Sequence, residues 1–114
     1  MNSLNKMSKR EWQTILECLK ASAYGPFFSD GEFGTIFGLE RDELEVVIDE
    51  WWVDDPAPSR NVMYAINNSL NNLLGYPHRK DHLWSDYISV SPREVRRVFT
   101  KWKEEQLPVY IHEW

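Results

Sequence analysis

Two histidines four residues apart, His78 and His82, are the first candidates for chemistry, with Asp81 and Asp86 close by. On one face of a helix that spacing can hold a metal ion. Here Pro77 precedes the pair, the stretch reads as loop, and neither a cysteine nor a third histidine lies close in sequence, so no metal site is expected. Cys18, the one cysteine, has no local histidine partner and lies beside the apolar face of the first predicted helix, where a buried, inert thiol is the default. His112 falls in the C-terminal tail and reads as a surface residue. No G-x-S-x-G, P-loop, G-x-G-x-x-G or H-E-x-x-H motif occurs. Carboxylates are plentiful, but no spacing singles out a pair. The expectation is a protein with no cofactor that is not an enzyme.

Charge is the stronger signal. Formal net charge is −5, and it is segregated. Residues 29–55 hold ten acids against Arg41, whereas residues 56–103 are net basic. An acidic field repels phosphate backbones and steers basic partners. The candidate partner-binding residues are Glu40, Asp42, Glu43, Asp49 and Glu50, with Trp52 and Trp84 as aromatic anchors, because Trp is enriched in binding hot spots. The opposite sign gathers at the C-terminal end. Arg93, Arg97 and Lys101 form one stripe at i, i+4, i+8 and are the alternative contact, for nucleic acid or an acidic partner.

Helix signals dominate the chain. Ser8 with Glu11 makes a capping box, and Trp12, Ile15, Leu16, Leu19 and Ala23 follow at helical spacing up to Gly25-Pro26, where a left-handed glycine cap is expected. Ser29-Asp30-Gly31-Glu32 opens a short helix that stops at Gly38. A third runs from about Glu40 to Trp52. After the Asp54–Ser59 linker, a long helix reaches Leu74, with Gly75 as its cap. Asn67, Asn68, Asn71 and Asn72 sit on its flank, expected to satisfy the backbone of the loop that follows. Residues 76–89 read as irregular, with a turn of helix around Leu83–Tyr87. Ser91-Pro92 starts the last helix, which ends near Gln106.

Two stretches echo one another. In residues 39–51 and 90–102, Glu43 aligns with Glu94, Leu44 with Val95, Val47 with Val98, Ile48 with Phe99 and Trp51 with Trp102. A shared core-facing period accounts for this, and a duplication is the alternative; in both cases the two helices should have similar packing roles. Residues 30–49 also have the apolar, small and turn-glycine spacing of a helix-turn-helix hairpin. Its second helix is lined by carboxylates, however, which makes DNA an unsuitable ligand.

Together these features predict an all-α fold of about five helices around an aromatic-rich core, with a helix-turn-helix-like hairpin. One domain, 1–114, is expected, with residues 1–7 flexible and 107–114 an extended arm. The N-terminus has no apolar run, no stretch approaches a membrane span, and the lone cysteine fits a reducing cytoplasm. The function class that fits best is a small acidic inhibitor, such as a bacterial immunity protein, that occludes the basic cleft of a toxin or nuclease domain as a monomer or weak homodimer. The alternative is a regulatory adaptor using the hairpin and the basic C-terminal helix.

Overall fold

The computed structural model describes residues 7–51 and 59–105, and everything below concerns these. They form six α-helices: α1 (Lys9–Tyr24), α2 (Asp30–Phe37), α3 (Arg41–Asp49), α4 (Arg60–Gly75), α5 (Trp84–Tyr87) and α6 (Pro92–Glu105). A single 3-10 turn, Asp81–Leu83, leads into α5. No strand occurs among the described residues, so the all-α expectation holds. The sixth helix is α5, a single turn inside the stretch expected to be mostly loop.

Local chemistry sets the boundaries. The Ser8 hydroxyl accepts from the Glu11 N–H at 3.1 Å, and the Glu11 carboxylate accepts from the Ser8 N–H at 2.8 Å. That reciprocal pair satisfies two orphan donors at the start of α1. The Ser59 and Ser91 hydroxyls cap α4 and α6 by accepting from the Val62 and Glu94 N–H groups, without the reciprocal bond. Gly38 ends α2 at φ 68°, a left-handed conformation that glycine adopts without steric cost.

Two glycines behave differently from the sequence expectation. Gly25 follows α1 in extended backbone, φ −87°. It is required for closeness, since a Cβ there would lie 2.6 Å from the Ala21 carbonyl oxygen. Gly75 does not cap α4; it is the helix's last residue, and Tyr76 is the cap. α3 also stops early, at Asp49 rather than Trp52. Its last turn holds no basic residue to meet the negative helix end. The chain leaves the helix so that the Trp51 ring meets Trp12 edge-on at 6.1 Å.

The two long helices, α1 and α4, pack on one another, and both α3 and α6 pack on each of them. The short helices cross over: α2 lies on α4, and α5 lies on α1. One buried cluster links all six, including Trp12, Phe33, Phe37, Leu44, Ile66, Trp84 and Trp102. Met7, placed by the sequence in a flexible lead, is buried in it.

The asparagines of α4 serve α2. Asn68 Nδ2 donates to the Phe37 carbonyl at 2.6 Å, and Asn72 Nδ2 donates to the Ile36 carbonyl at 3.1 Å. They satisfy carbonyls that the end of a helix leaves open, not the backbone of residues 76–89. That loop is held by His78. Its Nδ1 accepts from the Lys80 N–H at 2.9 Å, so Nε2 carries the proton and donates to the Leu73 carbonyl at 3.0 Å. With both ring nitrogens turned to backbone, His78 belongs to the scaffold.

Candidate protein-interaction face

Arg41 is the one basic residue of the acidic stretch, and its charge is directed inward. Its guanidinium donates to the carbonyls of Ser22 and Ala23 at the end of α1, and to that of Phe28. It also pairs with Asp30 at 3.1 Å and lies 4.4 Å above the Phe33 ring. The cation thus meets the negative end of α1 and binds α1, α2 and α3 together.

The carboxylates of α3 are left without a counter-ion. Leu44, Val47 and Ile48 face the core. At 100° per residue the opposite side presents Asp42, Val46 and Asp49, with Glu43 and Glu50 on one flank and Glu45 on the other. Asp42, Glu43, Asp49 and Glu50 are exposed. None of them forms an ion pair with another described residue. Glu43 accepts from the Glu40 N–H at 2.8 Å and so caps the helix with part of its capacity. Glu40 folds back instead, its carboxylate occupying the space over Gly34 that a Cβ would fill.

The aromatic component of this face is Tyr24, which the sequence reading did not select. It is 56% exposed at the end of α1, and Val46 is 52% exposed between the carboxylates. Arg41, the first residue of α3, holds the Ser22 and Ala23 carbonyls, so the end of α1 that carries Tyr24 lies beside α3; loss of hydration, then the charges of Glu45 and Asp49, push the Tyr24 phenol above its ordinary value. A signal was present: Gln13, Glu17, Lys20 and Tyr24 recur on the polar side of α1, so the tyrosine is an aromatic where solvent was expected.

The two tryptophans expected as anchors fare differently. Trp84 is 6% exposed, packs edge-on against Phe27 and donates its indole N–H to the Val90 carbonyl at 2.7 Å. It is a core residue, and its ring is not at the surface. Trp52 lies outside the described residues, as do the tail 107–114 and residues 1–6.

The alternative site on α6 is partly spent inside the protein. Arg97 pairs with Glu94 at 2.6 Å and with Glu11 at 3.1 Å, and Lys101 pairs with Glu11 at 2.9 Å. Burial works to raise the Glu11 pKa, but the Ser8 N–H, Lys101 and Arg97 outweigh it and hold the carboxyl at about 2. The Arg97 guanidinium is pushed up in turn, first by Glu94 and then by Glu11. Arg93 and Arg96 remain exposed, beside a shallow groove of about 450 Å³ that Glu104 also lines. Of the expected stripe, Arg93 alone keeps its charge for an outside molecule.

No group of three or more metal-ligating side chains occurs among the described residues, and none of their helices is long and apolar enough to cross a membrane. Comparison with protein-family models, curated proteins and solved structures gave no match.

Proposed function

We propose that the chain is a protein-binding module that docks the outer face of α3, with Tyr24, onto a basic partner. The observation that carries this is the set of exposed carboxylates with no internal counter-ion, gathered around an exposed tyrosine and valine. Such a face combines electrostatic steering with apolar area to bury at the centre of a contact. Asp49 and Glu50 add a second point. They stand at the negative end of α3, where a carboxylate disfavours the helix. Acids at that place contribute nothing to stability, and a partner accounts for them.

Within this reading the finer role is that of a stoichiometric inhibitor of immunity type. A basic cleft that binds phosphates, as in a nuclease or toxin domain, is the surface that a small acidic domain occludes. The test is affinity capture from the native host with the wild-type chain and the double variant Asp42→Lys/Asp49→Lys. The wild type should retain a basic protein that the variant releases at physiological salt, and Tyr24→Ala should weaken binding about tenfold or more. Equal retention by all three chains would remove the proposal.

The competing reading is an adaptor built on the helix-turn-helix-like α2–α3 pair, with α6 on nucleic acid. Salt-sensitive binding of a labelled duplex, lost in Arg93→Glu and Arg97→Glu, would favour it.

A further inference from the structure

We infer that the chain is two copies of one three-helix unit, residues 8–51 and 59–102, paired about an internal two-fold axis, and that each unit's buried pairing face is shaped for a second copy of the unit. The resemblance between residues 39–51 and 90–102 is one end of a longer correspondence. A constant shift of 51 residues carries the capping Ser8 onto the capping Ser59, the start of α1 at Lys9 onto that of α4 at Arg60, Asp30 at the start of α2 onto Asp81, and Arg41 at the start of α3 onto Pro92 at the start of α6. α1 and α4 have the same length, 16 residues. No insertion interrupts the correspondence. Ile15 falls on Ile66, Leu19 on Leu70, Pro26 on Pro77, Val47 on Val98 and Trp51 on Trp102.

Burial follows the same shift. Cys18 and Ser69 are both fully buried, and so are Ile15 and Ile66, Leu19 and Leu70, Leu44 and Val95. Phe33 and Phe37 of α2 correspond to Trp84 and Ile88, all of them in the core. Two amphipathic helices with a common period would explain α3 and α6 alone, not agreement across every element.

The contacts between the halves are reciprocal. α2 of the first unit lies on α4 of the second, and α5 of the second lies on α1 of the first. Likewise α3 and α6 each pack on the other unit's long helix as well as their own. One position makes the exchange visible in atoms. Glu17 on α1 accepts from the Ser89 N–H at 2.8 Å, and its counterpart Asn68 on α4 donates to the Phe37 carbonyl, next to Gly38, the counterpart of Ser89. In each unit this side chain fastens the turn before the other unit's third helix. A lone unit of this length has too little interior to be stable by itself, and the partner's short helix supplies what is missing.

The surfaces have diverged further than the frame, in which α2 corresponds to a 3-10 turn with the single turn of α5, and buried Phe28 to exposed Arg79. Asp42 corresponds to Arg93, Glu45 to Arg96 and Glu50 to Lys101, so the face that is acidic on α3 is basic on α6. One acidic face per chain follows, in spite of the symmetry.

The decisive test exchanges the units within the whole chain: residues 1–7, then 59–102, then 52–58, then 8–51, then 103–114. Every residue is kept and each unit takes the other's place. The exchanged chain should be monomeric, match the helical circular dichroism of the native order and unfold cooperatively within about 10 °C of it. The same exchange displaced by ten residues at each boundary, which breaks the equivalence, should show no cooperative transition. A third chain, residues 59–114 followed directly by 1–58, checks closure between the second unit's end and the first unit's start, and it should fold. An exchanged chain without a cooperative transition overturns the inference whether or not the third chain folds, and so does a displaced exchange that folds as well as the matched one.

Discussion

Arg41 and Glu11 are charges that the described interior depends on, and their removal should cost far more than that of any charge on the outer face of α3. Arg41 serves three carbonyls at once, so Arg41→Ala should lower stability by about 2–4 kcal/mol, at the scale of buried charge-assisted hydrogen bonds; chemical denaturation measures it directly. Glu11 makes a pH prediction. Its carboxyl titrates at about 2 in the folded chain against an ordinary value of 4.5. A depressed folded value means that the ionised side chain stabilises the fold above pH 4.5, and that this contribution drains away as pH falls towards 2. Thermal midpoints recorded from pH 6 down to pH 3 should fall less steeply for Glu11→Gln than for the wild type; parallel curves would contradict the assignment. The glycines separate by the same reasoning. Gly25→Ala forces a Cβ against the Ala21 oxygen and should cost about 1–3 kcal/mol, whereas Gly75→Ala adds a methyl in open space at the last residue of α4, where the backbone suits alanine, and should gain about 0.4–1 kcal/mol.

At the level of elements, most helices were legible because their ends are written in short-range chemistry. Ser8 with Glu11, Ser59, Ser91 with Pro92, and Gly38 each act on a backbone group within four residues, and such signals survive without knowledge of the fold. What stayed hidden depends on distant chain. Asn68 and Asn72 find their acceptors on α2, more than thirty residues away, and nothing beside them in sequence names that partner. Asn68→Ala should release the end of α2, costing about 1–2 kcal/mol and raising amide exchange first in residues 36–38. Trp84 misled for the same reason: in a stretch with little periodicity its burial is decided by Phe27 and the Val90 carbonyl. α3 ended early because Trp51 gains a neighbour in Trp12, again a contact across the chain. The acidic face itself was legible residue by residue. Its centre was not, because choosing Tyr24 requires knowing that the end of α1 lies beside α3.

For the molecule as a whole, charge and stability pull in opposite directions on α3. Asp49→Lys removes a like-charge conflict with the helix end and should raise stability by about 0.3–1 kcal/mol while weakening attraction to a basic partner. A variant that melts higher and binds worse is the signature expected of a face maintained for recognition, and thermal melts alongside titration with the captured partner would reveal it. The centre of the structure offers a different handle. Cys18 lies on the side of α1 turned into the core, fully enclosed, and burial, with a smaller contribution from Glu17, pushes its thiol far above the usual range. A thiol-modifying reagent therefore meets it only in molecules whose long helices have momentarily parted. The rate at which this atom is alkylated under native conditions is a clock for how often the protein breathes open along its middle.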